Sequence, residues 1–277
     1  MINNTLNLNG SLVRISRPMV MGILNVTPDS FYANSRKQTE HDIHNRIEQI
    51  INEGGDLIDV GGYSSRPNAV DVSVVEEMNR LRLALEILMK HYPQIPISVD
   101  TFRASIARQS VEQYGVALIN DIAAGEMDAA MFRTIADLGV PYCMMHLKGT
   151  PQTMQQHTNY ENMMEEIILY FSRKVRALRL LGVKDIILDP GFGFSKTLDQ
   201  NYELMKQLKE FDLFDLPLLV GVSRKRMVYQ LLDTTPEDSL AGTTALHTYA
   251  LLQGASFLRV HDVKAAADVV KIVTKLK

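Results

Sequence analysis

The chain has 277 residues, 46% of them hydrophobic and 22% charged, which allows two ordinary domains or one large barrel and excludes disordered and collagen-like classes. Its 29 lysines and arginines against 32 aspartates and glutamates leave a net charge of −3, so no nucleic-acid partner is expected, and no apolar run approaches the ~18 residues of a membrane span. The one cysteine, Cys143, excludes a disulfide framework and a multi-cysteine zinc site, and the polar start Met1-Ile2-Asn3-Asn4 lacks a signal-peptide pattern, so a cytoplasmic protein is expected.

Residues 5 to 17 alternate apolar and polar around Asn9-Gly10, the dipeptide that best tolerates the positive φ angles of a two-residue turn, and this predicts a leading β-hairpin. Short β-branched runs then alternate with longer stretches of 3.6-residue periodicity. Val20 to Leu24 is followed by Ile43 to Ile51, Leu57 to Val60 by Val74 to Met89, Ile97 to Val99 by Ser105 to Tyr114, and Ala117 to Ile119 by Met127 to Leu138. Tyr142 to Met145 precedes Tyr160 to Leu180, Asp185 to Leu188 precedes Leu198 to Leu208, Leu218 to Val220 precedes Ser239 to Gln253, and Phe257 to Val260 precedes Val263 to Val273. Such units, recurring about every 34 residues, predict an α/β fold: a single (β/α)8 TIM barrel behind a short hairpin, one domain over residues 1–277. An open doubly wound sheet would usually show fewer strands.

In a parallel barrel the site lies at the carboxyl ends of the strands, and here those ends are polar. They carry Asn25 and then Asp29-Ser30-Phe31; Asp59 and then Gly61-Gly62-Tyr63-Ser64-Ser65-Arg66-Pro67; Asp100-Thr101; Asn120-Asp121; His146; Asp189-Pro190-Gly191-Phe192-Gly193; Gly221 to Arg226; and Arg259-Val260-His261-Asp262. Plainer roles stand beside the functional ones. Asp59, Asp121 and Asp262 are also good N-caps for the helices that follow, His146 alone reads more readily as a hydrogen-bonded core histidine than as a catalyst, and Ser223 to Arg226, though a basic run of the kind often solvated, follows a strand and Gly221 where a loop opens towards the site. The glycines after Asp189 suggest backbone approaching a ligand closely.

Sorted by chemistry, Asp100, Asn120 and Asp189 suit a flat heterocycle with an amidine-like edge, because a carboxylate can pair with such an edge through two parallel hydrogen bonds. Arg66, Lys225, Arg259, His261 and Asn25 suit phosphate or diphosphate with a hard cation such as Mg²⁺. A heterocycle bearing a diphosphate is the inferred substrate. There is no Walker-type loop and no Gly-x-Gly-x-x-Gly after the first barrel strand, so neither nucleotide hydrolysis nor NAD binding is expected.

From about residue 18 onward, Met21-Gly-Ile-Leu-Asn25-Val-Thr-Pro-Asp29-Ser-Phe31, Asp59-Val-Gly-Gly, Ser64-Ser-Arg66-Pro67, Ser98-Val-Asp100-Thr101, Asn120-Asp121-Ile122, Met145-His146 with Gly149-Thr150-Pro151, Asp189-Pro-Gly-Phe-Gly-Phe194, Gly221-Val-Ser-Arg-Lys225 and Arg259-Val-His261-Asp262 follow in order. This series resembles the dihydropteroate synthase family of folate biosynthesis. The resemblance implies a barrel that condenses 6-hydroxymethyl-7,8-dihydropterin diphosphate with p-aminobenzoate in the presence of Mg²⁺. It implies that Asp100, Asn120, Asp189 and Lys225 hold the pterin, that Asn25, Arg66, Arg259 and His261 hold diphosphate, with Asn25 on the metal, and that Lys225, Arg259 and Asp100 are catalytic. Phe31, Ser65, Arg66 and Pro67 would supply the p-aminobenzoate loops, and the family's tendency to homodimers would use late helices such as the apolar stretch Leu246 to Leu252.

The chain departs from the family pattern in three places. After the first barrel strand the family usually reads Ser-Phe-Ser-Asp-Gly-Gly, whereas Ala33 leaves no acid here. Tyr63 and Ser65 stand where Glu and Thr are usual, and Arg226 where a small Ser is common. Two neighbouring functions share the pterin chemistry: a pterin-binding methyltransferase domain, which has no need of a diphosphate site, and a non-catalytic pterin-binding protein.

Overall fold

The structure, a computed structural model, describes residues 5–27, 36–63 and 72–276. Strands β1 (Thr5–Leu8) and β2 (Ser11–Arg14) pair antiparallel with Leu8 opposite Ser11, which leaves Asn9 and Gly10 to turn the chain at φ 52° and 78°. Positive φ at both positions is the requirement that an Asn-Gly pair meets with least strain. The hairpin then buries Leu6 and Leu8 against Met21, Leu57, Cys143 and Phe257, side chains of the barrel interior. It therefore plugs the amino end of the barrel and leaves the carboxyl end open.

The barrel strands are β3 (Met19–Asn25), β4 (Leu57–Gly61), β5 (Ile97–Asp100), β6 (Leu118–Asp121), β7 (Tyr142–Met145), β8 (Ile186–Asp189), β9 (Leu219–Val220) and β10 (Phe257–Val260). Neighbours pair in parallel, with β10 between β9 and β3. The seam between β8 and β9 is closed by a bridge from Leu188 to Leu218, with the Leu188 N–H 2.9 Å from Pro217 O. Around the strands run α1 (Arg36–Asn52), α2 (Val74–His91), α3 (Ala104–Tyr114), α4 (Met131–Leu138), α5 (Met163–Leu180), α6 (Leu198–Lys206), α7 (Arg226–Leu231), α8 (Leu240–Leu252) and α9 (Val263–Leu276). Alternate strand residues such as Leu24, Ile58, Val60, Val99, Ile119 and Leu258 are buried in the layer between barrel and helices.

Helix starts differ from the sequence reading where a side chain takes over the first turn. Residues 127 to 130 stay outside α4 because Asp128 accepts from the N–H groups of Ala130 (3.0 Å) and Ala104 (2.8 Å), an Asx-type turn that competes with helix. Tyr160 lies before α5, since Asn162 caps that helix through the Glu165 N–H and the Tyr160 hydroxyl donates instead to Ser195 O. The seventh unit carries a short extra helix, α7, ahead of α8.

Candidate active site

Strand register builds the site. Met21 pairs with Leu57, Ile23 with Asp59 and Asn25 with Gly61; Asp59 pairs in turn with Ser98, Gly61 with Asp100, and Asp100 with Asn120. Side chains alternate with a period of two, so one step beyond the apolar floor of Met21, Leu57 and Leu118 the same face presents Asp59, Ser98 and Asn120. Two residues further along stand Asn25, Gly61 and Asp100. A Cβ on Gly61 would come 3.3 Å from Asn25 Oδ1 and 3.7 Å from the Asp100 Cβ, so this glycine keeps the space between them open.

Arg259 joins this tier from β10. Its Nε donates to Asp59 Oδ2 at 2.6 Å and its Nη2 to Asp100 Oδ2 at 2.7 Å. Asp59 is fully buried and also accepts from Ser98 Oγ (2.6 Å) and Asn120 Nδ2 (3.2 Å). Asp59 is therefore no helix cap; it is the acceptor on which three pocket side chains converge. Burial pushes the Asp100 carboxyl up to about 7, opposed by Arg259 and reinforced by the charges of Asp59, Glu77 and Asp121. Desolvation opposes the charge on Arg259, but Asp59 and Asp100 outweigh it and hold the guanidinium protonated.

Across the mouth, Asp189 ends β8 and accepts the Gly191 N–H at 2.8 Å, and burial raises its carboxyl against the pull of Lys225. Lys225 reaches in from the start of α7, donates to Phe192 O at 2.6 Å and lies 4.7 Å from the centre of the Phe194 ring. Burial and then Arg259 push its ammonium down to about 8, with Asp189 and Asp100 pulling the other way. The two glycines after Asp189 are also required by the protein around them. A Cβ on Gly191 would strike His146 O at 2.2 Å, and one on Gly193 would meet Lys225 Cδ at 3.3 Å. The close approaches are to neighbouring protein, with both residues at positive φ.

His261 stands at the rim, its Nδ1 3.3 Å from Ser223 Oγ, while its carbonyl accepts from Arg46 Nη2 at 2.7 Å. Desolvation in the crowded mouth and the charge of Arg259 push this imidazole down to about 4. Three other polar strand-end residues are structural. Asp121 holds its own loop through the N–H groups of Ala123 (2.7 Å) and Gly125 (2.8 Å) and takes the Tyr142 hydroxyl at 2.6 Å. Asp262 pairs through two 2.8 Å bonds with Arg224, which also donates to Pro236 O and so anchors the loop before α8. Arg226 is exposed and donates along its own helix to Gln230 at 3.0 Å. Phe31, Ala33, Ser65, Arg66 and Pro67 lie outside the described residues.

Over residues 21–261 the sequence matches the family of pterin binding enzymes. The chain belongs to that family. It is 41% identical to dihydropteroate synthase of Escherichia coli strain K12 over 270 residues, covering 95% of this chain and 93% of that one. Its fold superposes on Yersinia pestis dihydropteroate synthase in a sulfonamide drug complex with a TM-score of 0.91, at 38% identity and 99% coverage of both chains. Xanthomonas albilineans dihydropteroate synthase with 4-aminobenzoic acid gives 0.88, at 34% identity over 98% of this chain and 97% of that one.

Two further residues of this pterin-binding barrel escape a reading of strand ends. Lys196 lies seven residues past Asp189, yet it is 4% exposed and bonded to the turn that follows β8. Arg103 lies beyond Asp100, donates to Val72 O at 2.6 Å, pairs with the buried Glu77 and packs on the rings of Phe102 and Tyr63. Tyr63, which replaces the usual Glu, accepts from Gln152 Nε2 at 2.9 Å and meets Phe102 edge to face at 5.0 Å. Its aromatic ring, rather than a charge, ties the end of β4 to the neighbouring loops.

Proposed function

We propose that the chain is a dihydropteroate synthase: it condenses 6-hydroxymethyl-7,8-dihydropterin diphosphate with p-aminobenzoate to give 7,8-dihydropteroate and diphosphate. The observation that carries this reading is the meeting of Asp100, Asn120, Asp189, Lys225 and Arg259 at one barrel mouth, in a chain aligned nearly end to end with an enzyme of that name. Asp189, deep in the mouth, accepts from the 2-amino and ring N–H edge of the pterin, and Asn120 and Lys225 complete its polar frame. Arg259 and His261 face the diphosphate, with Arg66. Binding energy on both halves holds the methylene carbon in line for attack by the amine.

In the reaction the bond from that carbon to the diphosphate oxygen breaks, the amine nitrogen bonds to the carbon, and the amine gives up a proton. The electron-rich dihydropterin ring spreads the positive charge left on the carbon, so cleavage runs ahead of attack. Arg259, fixed by two carboxylates, offers its positive charge to the leaving group without having to reorganise. Asn25 Oδ1, beside the opening at Gly61, is an oxygen donor that suits Mg²⁺ and would hold it together with the diphosphate's own oxygens. When bound, Mg²⁺ would add neutralising charge to the leaving diphosphate.

Two finer readings belong with this function. A homodimer through the late helices is supported by Leu231, Leu252, Ile272 and Leu276, all exposed on α7, α8 and α9. A cytoplasmic setting suits a lone cysteine, Cys143, buried as a free thiol. No described helix is long and apolar enough to cross a membrane.

Complementation decides between the synthase and its relatives. Growth of a folate-auxotrophic strain lacking its own synthase is the expected result, and purified protein should make dihydropteroate from the two substrates. A methyltransferase domain or a silent pterin binder would restore nothing, and that result would overturn the assignment.

A further inference from the structure

Lys196 is a buried ammonium that the reaction does not use. It is 4% exposed, at the end of the turn that follows Asp189, and its Nζ has three partners: Gly191 O at 3.0 Å, Phe194 O at 3.0 Å and His146 Nδ1 at 3.1 Å. An ammonium has three N–H donors and no acceptor, so all three are satisfied and His146 must accept as a neutral ring. Burial, with Lys196 and Lys148 nearby, holds that imidazole well below its ordinary value, consistent with the role of acceptor. His146 is itself fixed, 2% exposed, edge-on to Tyr170 at 5.0 Å, with its backbone N–H on Asp189 O.

We propose that Lys196 is a positioning residue of the pterin pocket, a cationic pin that holds the Gly191–Phe194 turn against His146 and thereby sets Asp189, Lys225 and Phe194 for the pterin. The turn governs all three at once. Its Gly191 N–H occupies Asp189 Oδ1, which directs the other carboxylate oxygen; its Phe192 carbonyl takes the Lys225 ammonium; and its last residue carries the ring beside that ammonium. Lys196 grips the turn from one side and Lys225 from the other, through different carbonyls. A side chain without donors at position 196 takes from Phe194 O the ammonium it accepts from and leaves Gly191 O only the Phe194 N–H at 3.1 Å, and in a buried place an unmade hydrogen bond is costly. Asn25, Arg259 and His261 stand on or just after β3 and β10, and among the described residues no hydrogen bond links them to the pin.

A buried cation is an expensive way to pin a turn, since desolvation pushes Lys196 down to about 7 even with Asp189 pulling the other way and Lys225 adding to the push. An uncharged amide offers two donors; three acceptors arranged around one nitrogen call for an ammonium.

The proposal rests on the synthase reading, and the test separates the two. Wild type, Lys196→Met, His146→Leu and His146→Gln are titrated with 6-hydroxymethylpterin by fluorescence, and KM is measured for each substrate. Lys196→Met should weaken the pterin about tenfold or more and raise KM for the pterin diphosphate to match, while KM for p-aminobenzoate stays within about twofold. His146→Gln, which keeps an acceptor, should retain pterin affinity within about threefold, whereas His146→Leu should lose it; this pair decides the matter if Lys196→Met fails to fold. Lys196→Met binding pterin as wild type does, an equal rise in both KM values, or His146→Gln failing as badly as His146→Leu would overturn the pin. Wild type that binds no pterin at all would overturn the synthase reading instead.

Discussion

Arg259 Nη2 lies 2.7 Å from Asp100 Oδ2, a bond between strands β10 and β5 that joins the diphosphate side of the mouth to the pterin side. A diphosphate must share this guanidinium with a carboxylate whose charge repels it. Asp100→Asn should therefore act in opposite directions on the two halves of the substrate: inorganic diphosphate binds about three- to tenfold tighter, and 6-hydroxymethylpterin binds more weakly. Calorimetric titration with each ligand alone checks this, and a fall in both affinities would show that Asp100 serves the site only by holding its shape.

Asp59 has a heavier structural duty. It is fully buried and is the acceptor for Arg259, Ser98 and Asn120 together, and an amide in its place can keep one oxygen for Arg259 and Asn120 but removes the negative charge that balances the guanidinium. Breaking a buried pair from one side costs about 3 to 5 kcal/mol. Asp59→Asn should lose stability on that scale in urea unfolding and lose pterin binding with it. A variant as stable as wild type would mean that Arg259 finds another partner.

The barrel and most of its mouth were legible because both follow local rules. Eight β-branched runs alternate with eight amphipathic stretches, and polar residues at the strand ends mark the open side. Asp59 reads as a helix cap because an acid ahead of Gly61-Gly62 does commonly cap; what makes it a pocket residue is Arg259, 200 positions away, and Ser98 across the strand pair. Lys196 looks like an ordinary lysine before the Thr197 cap of α6, and only tertiary packing shows that it points inward. The hairpin is plain in Asn9-Gly10, but nothing local says that its leucines stop the amino end of the barrel. Long-range pairing, not propensity, separates the legible from the illegible here.

Asp189 offers the pterin one carboxylate oxygen beyond the one held by Gly191. Asp189→Asn keeps the shape, yet an amide cannot accept from both the 2-amino group and the adjacent ring N–H, and a donor left facing a donor costs about 1 to 3 kcal/mol. Pterin affinity should drop at least about tenfold with the unfolding midpoint little changed. Unchanged affinity on titration would remove Asp189 from the pterin site.

Arg226, the residue that replaces a small serine of the family pattern, is exposed and donates along its helix to Gln230. Exposed contacts of this kind contribute a few tenths of a kcal/mol at most. Arg226→Ser should leave kcat and KM for p-aminobenzoate within about twofold of wild type. A several-fold rise in that KM would mean that the guanidinium swings to the substrate carboxylate.

Acid should unfold this protein through its histidines. Burial pushes His247 down to about 4, with Asp262 opposing, and desolvation with Arg259 does the same to His261. In the unfolded chain both return to about 6.5. A lowered folded-state value means that the unfolded chain takes up the proton first, so the stability these groups contribute is complete above about pH 6.5 and is lost as pH falls towards 4. For the buried His247 the cost is about 1.4 kcal/mol per pH unit within that window, and for the exposed His261 solvent screening makes it smaller. His247 gives the cleaner test, because it is 2% exposed and its Nε2 has no hydrogen-bond partner among the described residues. Replacing it with leucine removes a buried unpaired polar atom together with a titrating group, so His247→Leu should match or exceed wild type by about 1 kcal/mol at pH 7.5 and show a shallower decline between pH 6.5 and 4. Urea unfolding at several pH values measures both, and an acid slope identical to wild type would show that His247 is already neutralised in some other way or is equally buried in the unfolded chain.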